Sequence, residues 1–254
     1  MNETKTKIYF ASDFHLGTPN FEESLKRERK IVSWLNTVKK DATEIFLMGD
    51  IFDFWFEYKY TAPKGFTRFL GTVASIVDSG IPVHFFIGNH DMWMFDYLAK
   101  ELGVSIHRKE GIYKLGNKTF FLGHGDGLGP GDGKYKVLKK IFANPISQWF
   151  FARVHPNFSF SIANNWSRAS RKKEKEPQVF LGEENEWLIS YCKRKLETND
   201  TIDYFIFGHR HLPITHELTK KSTYINTGDW LNHFTYAEFD GEHLELKKLK
   251  DLKQ

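Results

Sequence analysis

Six apolar runs, each closed by a glycine or small residue and then by a cluster of Asp, His or Asn, constrain this chain more than any other feature. "KIYFASDFH" leads into Asp13 and His15, "EIFLMGDIFDFW" into Asp50 and Asp53, and "VHFFIGNHD" into Asn89, His90 and Asp91. "KTFFLGHGD" leads into His124 and Asp126, "YFIFGHRH" into His209 and His211, and "STYINTGDW" into Asp229. One such ending is a loop. Six imply a common edge where the carboxyl ends of strands meet, which is where open α/β sheets place their ligands. Helical patterns alternate with the runs, so the expected class is α/β, with strands covered by helices. Gly49, Gly88, Gly123, Gly208 and Gly228 sit at the strand ends, where tight turns and close backbone approach are needed.

The donor types agree with one another. Aspartate and asparagine offer hard oxygens and histidine a borderline nitrogen. The mixture suits Mn²⁺, Zn²⁺ or Fe²⁺ better than Ca²⁺, which takes oxygens, or structural zinc, which takes thiolates. Asp13, His15, Asp50, Asn89, His124, His209 and His211 together exceed the needs of one ion. Two ions sharing a bridging carboxylate fit better, and such pairs, ~3.5–4 Å apart, clamp both oxygens of an in-line phosphoryl displacement.

At 254 residues the chain is expected to form a single domain, 1–254, with a helical insertion over about 134–180. Its one cysteine, Cys192, excludes an internal disulfide, fits a reducing compartment and reads as a small side chain packed in an amphipathic helix. No window approaches the ~18 apolar residues of a membrane span, and "MNETKTKIYFASDFH" lacks the apolar core of a secretory signal. A cytoplasmic location is therefore expected. The net charge of +4 permits an anionic partner without selecting one.

In order and content the clusters resemble the calcineurin-like metallophosphoesterases: Asp13-x-His15, Gly49-Asp50-x-x-Asp53, Gly88-Asn89-His90-Asp91, His124, and Gly208-His209-x-His211. The resemblance runs from residue 8 to about 230. It implies a four-layer αββα sandwich. It also implies that Asp13, His15 and His211 hold one ion, that Asn89, His124 and His209 hold a second, and that Asp50 bridges them. A narrower resemblance rests on "HGDGLGPGDGKYK", the helical insertion after it, and the late "NTGDW". These are similar to the UDP-2,3-diacylglucosamine hydrolases of lipid A synthesis. That group uses a manganese pair to split its substrate into lipid X and UMP, under a lid that covers the acyl chains. The resemblance implies a UDP-linked diacylated glucosamine as partner. It also implies peripheral contact with the cytoplasmic face of the inner membrane. Asn89, His90, Asp132, Arg168, Ser170, Lys173 and His209 would be substrate contacts.

By the same resemblance His90 is the residue that acts on the phosphoryl group or leaving group, and Asp91 orients it and raises its pKa. The narrower group places Arg at this position, so the chain keeps the His of the wider family. Asp53 reads as a brace for its loop or for a ligand histidine, and Asp126 and Asp229 read either as such braces or as substrate contacts. The insertion carries Ile141, Phe142, Trp149, Phe150, Phe151, Phe158, Phe160 and Trp166 among many bases. It reads either as a helical pair packing its own core or as a lid with an apolar cleft and a basic rim. Two other functions stay open: a phosphoesterase acting on a soluble cyclic nucleotide, phosphoprotein or nucleic acid, and a binding scaffold. Nucleic acid is disfavoured because no repeated basic stripe is present. A scaffold would be expected to lose metal ligands, and here none is missing. No heptad repeat demands an oligomer.

Overall fold

The computed structural model describes residues 6–129, 133–162 and 179–250. One sheet holds β1 (Ile8–Ala11), β2 (Glu44–Leu47), β3 (Val83–Phe86), β4 (Ser105–His107), β10 (Thr235–Phe239) and β11 (Leu244–Lys248), in the order β11-β10-β1-β2-β3-β4. The other holds β5 (Gly111–Leu115), β6 (Lys118–Leu122), β7 (Tyr204–Phe207), β8 (Pro213–Thr219) and β9 (Ser222–Thr227), in the order β5-β6-β7-β9-β8. Strands β1, β2 and β3 run parallel, as do β6, β7 and β9. These are the six strands that carry the polar clusters, so three clusters emerge from one edge of each sheet.

Side-chain parity assigns the layers, because successive residues of a strand face opposite ways. Ile8, Phe10, Phe46, Met48 and Phe86 meet Phe120, Leu122, Ile206 and Ile225 between the sheets. Their neighbours Tyr9, Ala11, Ile45, Leu47 and Phe85 face the other way, toward helices α1 (Phe21–Val38), α2 (Thr67–Asp78) and α3 (Tyr97–Leu102). Phe121, Phe205, Phe207 and Tyr224 face helix α6 (Trp187–Thr198), where Leu188, Ile189 and the buried Cys192 pack on them. Burial on both faces is why these strands read as nearly continuous apolar runs. The result is the expected four-layer αββα sandwich.

Local chemistry supports the layers. The Asn20 side chain accepts the Glu23 N–H at 2.9 Å and caps α1, whose first turn also carries Glu22 and Glu23. Ile31, Trp34, Leu35 and Val38 then follow at helical spacing and are all buried. A hairpin at Asp240-Gly241 joins β10 to β11, with Gly241 at φ 102°.

Between β6 and β7 the chain forms α4 (Gly133–Ala143), α5 (Pro145–Phe151) and a helical stretch over 156–162. These helices do not build a separate core. Phe142 and Phe151 pack on Trp93 at ring distances of 5.4 and 4.7 Å, Phe151 also on Phe56 at 4.8 Å, and Phe160 on Phe54 at 5.2 Å. Trp93 Nε1 donates to the Phe142 carbonyl at 2.9 Å. The insertion is therefore seated on the loops that follow β2 and β3. Ile141, Ile146, Trp149, Phe150 and Phe158 remain at least half exposed. Asp132, Trp166, Arg168, Ser170 and Lys173 lie outside the described residues.

Two substitutions test the layering by thermal or denaturant unfolding. Phe46→Ala, which empties a site 1% exposed between the sheets, is expected to cost about 3–5 kcal/mol. Gly71→Ala, on α2 with no atom within 4 Å of a new Cβ, is expected to stabilise by about 0.5–1 kcal/mol.

Candidate metal centre

The centre is built from two buried carboxylates that each use one oxygen structurally and leave the other without a hydrogen bond. Asp13 Oδ2 accepts from the Ser12 hydroxyl and, at 3.0 Å, from the His209 N–H. Asp50 Oδ1 accepts the His90 N–H at 2.9 Å. Asp13 Oδ1 and Asp50 Oδ2 are buried and make no hydrogen bond among the described residues. Both residues are 0% exposed. A buried anionic oxygen without a partner costs several kcal/mol unless a positive charge meets it, by protonation or by a metal.

Imidazole nitrogens converge on these two oxygens. Asp13 Oδ1 lies 3.2 Å from His211 Nε2 and 3.7 Å from His15 Nε2, and the two Nε2 atoms face each other at 3.2 Å. Asp50 Oδ2 lies 3.2 Å from His124 Nε2 and 3.8 Å from His15 Nε2. His124 Nε2 is 3.3 Å from Asn89 Oδ1. Ligands about 2.1 Å from one ion stand about 3.0–3.6 Å from each other, and most of these separations fall in that range. Three sets of donor atoms cluster within 4.8 Å: His15, Asp53 and His90 form one, and the other two are Asp13, His15, Asp50 and His211, and Asp50, His124 and His209. Asp50 belongs to both of the latter. The arrangement fits a pair of divalent cations bridged by one carboxylate.

The outer nitrogens fix how the rings are presented. His124 Nδ1 lies 2.8 Å from the Met48 carbonyl, which only accepts, so Nδ1 carries the hydrogen and Nε2 is turned to Asp50 and Asn89. His211 Nδ1 is 3.6 Å from Asp229 Oδ2, and His15 Nδ1 is 3.5 Å from Asp53 Oδ1. Asp229 and Asp53 thus stand behind histidines of the cluster. Asp126 does not: its carboxylate binds Tyr135 Oη and Lys139 Nζ, both at 2.6 Å, and so holds α4 rather than a histidine.

Asp91 departs from the expected role. Its carboxylate accepts the N–H groups of Gly88 and Ile51, both at 2.7 Å, and of Phe52 at 3.3 Å. It closes the turn after β3 onto the loop after β2. The group beside His90 is Asp53, whose carbonyl lies 3.0 Å from His90 Nδ1 and whose Oδ1 lies 3.9 Å from the same atom. Burial also holds the His90 pKa below its ordinary value, against the pull of Asp50, so the expected rise does not occur.

Backbone strain is concentrated here. Among the described residues seven non-glycine residues have left-handed φ, and five are Asp13, His15, Asp50, His209 and His211. Two glycines make room for the carboxylates: a Cβ on Gly88 would collide with the Asp50 carboxylate, and one on Gly208 with Ser12 Oγ and Asp13 Oδ2.

Several supporting groups had no sequence signal. Arg27 lies among the charges of α1, yet it is buried and donates to the carbonyls of Phe14, His15 and Thr18, bracing the loop that presents Asp13 and His15. Asn226 donates to the Gly208 carbonyl and accepts from the Gly228 N–H. Arg210, between two histidines of the cluster, pairs with Glu186 at 3.1 Å and donates to the Val179 carbonyl at 2.8 Å.

Electrostatics follows from the geometry. Burial lowers the pKa of His15 and His124, but the nearby aspartates outweigh it. His15, facing the carboxylates of Asp13, Asp53 and Asp50, is raised to about 9, and His124, facing the Asp50 charge, is raised to about 10. Asp50 is held well below the usual carboxylate range, since the charges of His124 and His90 overcome its burial. Burial and the charge of His124 lower His209 to about 4. Protons on His15 and His124 thus stand in for cation charge. Because those two pKa values are raised, both rings still hold protons at pH 7.5 and must give them up to a metal. Mn²⁺ uptake in weakly buffered solution at pH 7.5 is expected to release protons, and apparent metal affinity to rise toward pH 9–10. Asp50→Asn, which removes the shared charge, is expected to lose both ions by metal analysis.

Comparison with known proteins shows the family. The calcineurin-like phosphoesterase profile matches residues 6–213. The chain is 38% identical over 260 residues to a UDP-2,3-diacylglucosamine hydrolase of Porphyromonas gingivalis, covering 98% of this chain and 99% of that one. It is 26% identical over 245 residues to the UDP-2,3-diacylglucosamine hydrolase of Vibrio parahaemolyticus, covering 94% and 96%. A dimetal phosphatase from Danio rerio shares the fold, with a TM-score of 0.51 at 13% identity and 96% of each chain covered. The chain belongs to the calcineurin-like phosphoesterase family.

Proposed function

We propose that this protein hydrolyses the pyrophosphate of UDP-2,3-diacylglucosamine to UMP and lipid X, at a pair of Mn²⁺ ions. Asp13, His15 and His211 hold one ion, Asn89, His124 and His209 the other, and Asp50 bridges. Full-length similarity to relatives of that name supports the substrate. The observation that carries it is a cavity of ≈450 Å³ that starts at Asn89 and His90 and is otherwise walled mainly by Met92, Trp93, Leu138, Ile141, Phe142 and Phe151. A polar reacting end that opens into an apolar chamber suits a phosphate ester carrying acyl chains. In this reading residues 134–180 are the lid over those chains, inserted into one domain.

Two divalent cations bound there supply Lewis-acid polarisation of the phosphoryl oxygens and lower the pKa of water. The chain's own residues orient and enclose. Asn89 and His90 sit where the reacting phosphate meets the cavity, and Asp53 fixes the His90 ring through Nδ1. The leaving group is a phosphate monoester with a second pKa near 6, roughly, so it departs without a strong proton donor. With Nδ1 held at the Asp53 carbonyl, His90 turns Nε2 to a phosphoryl oxygen and donates to it once the substrate's negative charge draws a second proton onto the ring. Asp91 keeps the Asn89-His90 turn in place.

No helix among the described residues is long and apolar enough to cross a membrane. Attachment to the cytoplasmic face of the inner membrane through the insertion accounts for its exposed groups. Ile146, Trp149 and Phe150 of α5 are 67%, 52% and 63% exposed. Arg153 stacks 3.3 Å from the Trp149 ring centroid. Residues 133–162 contain no Asp or Glu but do contain Lys134, Lys136, Lys139, Lys140 and Arg153. Exposed apolar side chains on a segment rich in bases and free of acids are the pattern of an interfacial anchor on anionic lipid.

The Mn²⁺-loaded protein is expected to release UMP and lipid X from UDP-2,3-diacylglucosamine far faster than it cleaves bis(p-nitrophenyl) phosphate; equal rates would sink the proposal. His90→Ala is expected to lower kcat by about 10²–10³. In sedimentation with vesicles containing anionic phospholipid, Trp149→Glu combined with Phe150→Glu is expected to reduce binding at least about tenfold.

A further inference from the structure

A second cavity opens from the same centre on the other side of the loop after β2. It is larger, ≈740 Å³, and shares Asp53 and Phe54 with the apolar chamber. Asp53 Oδ1 lies 3.5 Å from His15 Nδ1, so this groove also begins at the metal centre. One wall is the 61–66 segment before α2, and the other is the 156–161 part of the insertion. Its lining differs in kind: Thr61, Lys64, Asn157 and Ser161 offer hydroxyl, ammonium and amide groups, beside the Phe66 ring. Lys64 is exposed and has no ion-pair partner among the described residues.

We propose that this groove seats the pyrimidine nucleoside monophosphate half of the substrate. The inference rests on the function proposed above. A nucleoside diphosphate ester of a lipid has two halves that leave a central pyrophosphate in different directions, and they differ in chemistry. One is acylated, the other a charged, hydrogen-bonding nucleotide. Among the described residues two cavities meet at Asp53 and Phe54, and they differ in the same way. The volume lies within the about 300–1,000 Å³ of small-ligand clefts. Lys64 supplies an ammonium donor to a uracil carbonyl. Thr61, Asn157 and Ser161 supply donors and acceptors to the ribose and the uracil edge, and Phe66 offers a ring to the base.

The test is calorimetric titration of the metal-loaded protein with UMP, with inorganic phosphate and with lipid X, without turnover. Wild type is expected to bind all three. Lys64→Glu and, separately, Asn157→Ala change exposed residues, and each is expected to weaken UMP at least about tenfold and lipid X less than twofold. Phosphate, which reaches only the metal centre, is expected to move less than UMP. Unchanged UMP affinity in both variants overturns the assignment, as does a larger loss of lipid X than of UMP. An equal loss of phosphate and UMP also overturns it, since Lys64 would then act on the centre's charge alone. Hydrolysis of UDP-2,3-diacylglucosamine by a wild type that does not bind UMP overturns the groove and leaves the function standing. UMP binding without hydrolysis of that lipid overturns the function and leaves the groove standing.

Discussion

Two buried anionic oxygens, Asp13 Oδ1 and Asp50 Oδ2, set the terms for everything around them. Each carboxylate is pinned through its other oxygen to a backbone N–H at the end of a neighbouring strand: Asp13 to His209, and Asp50 to His90. The first pin crosses from one sheet to the other, and the second links β2 to β3 within a sheet. The anionic centre is thus a joint between the two sheets as well as a candidate metal site. The hydrogen bond that holds Asp13 in the centre also ties one sheet to the other.

The surrounding fold tolerates strain to keep that joint. Five residues of the centre hold left-handed backbone conformations that ordinary side chains avoid. Parallel strands on both sheets absorb the cost, because their cores are filled on both faces. Arg27, Ser12 and Asn226 then tie the loops down with hydrogen bonds to carbonyls and hydroxyls. Rigid layers with strained, well-braced ends are a scaffold on which ligand distances stay fixed.

Much of this was legible in the sequence. The six strands were readable because burial on both faces makes them continuous apolar runs. The donors that converge were readable because metal chemistry restricts the side chains at their ends. Other features left no such trace. Arg27 sits in a helix of alternating charges, where a buried cation cannot be told from a solvated one. Asp91 adjoins His90 in sequence but turns back over the loop, because three backbone N–H groups need its oxygens. The insertion lacks a single periodicity because its rings divide: Phe142, Phe151 and Phe160 pack inward, while Trp149, Phe150 and Phe158 face out.

The insertion leaves the sandwich just after His124, where Asp126 grips Lys139 and Tyr135, and it returns at Val179, whose carbonyl is gripped by Arg210 between His209 and His211. Neither anchor is in register with a sheet. The segment behaves as an interchangeable cartridge clipped at both ends to loops of the reaction centre. Its length and lining can drift over generations without altering a single strand pairing. A family built on this plan can acquire new substrates while its inorganic chemistry stays fixed.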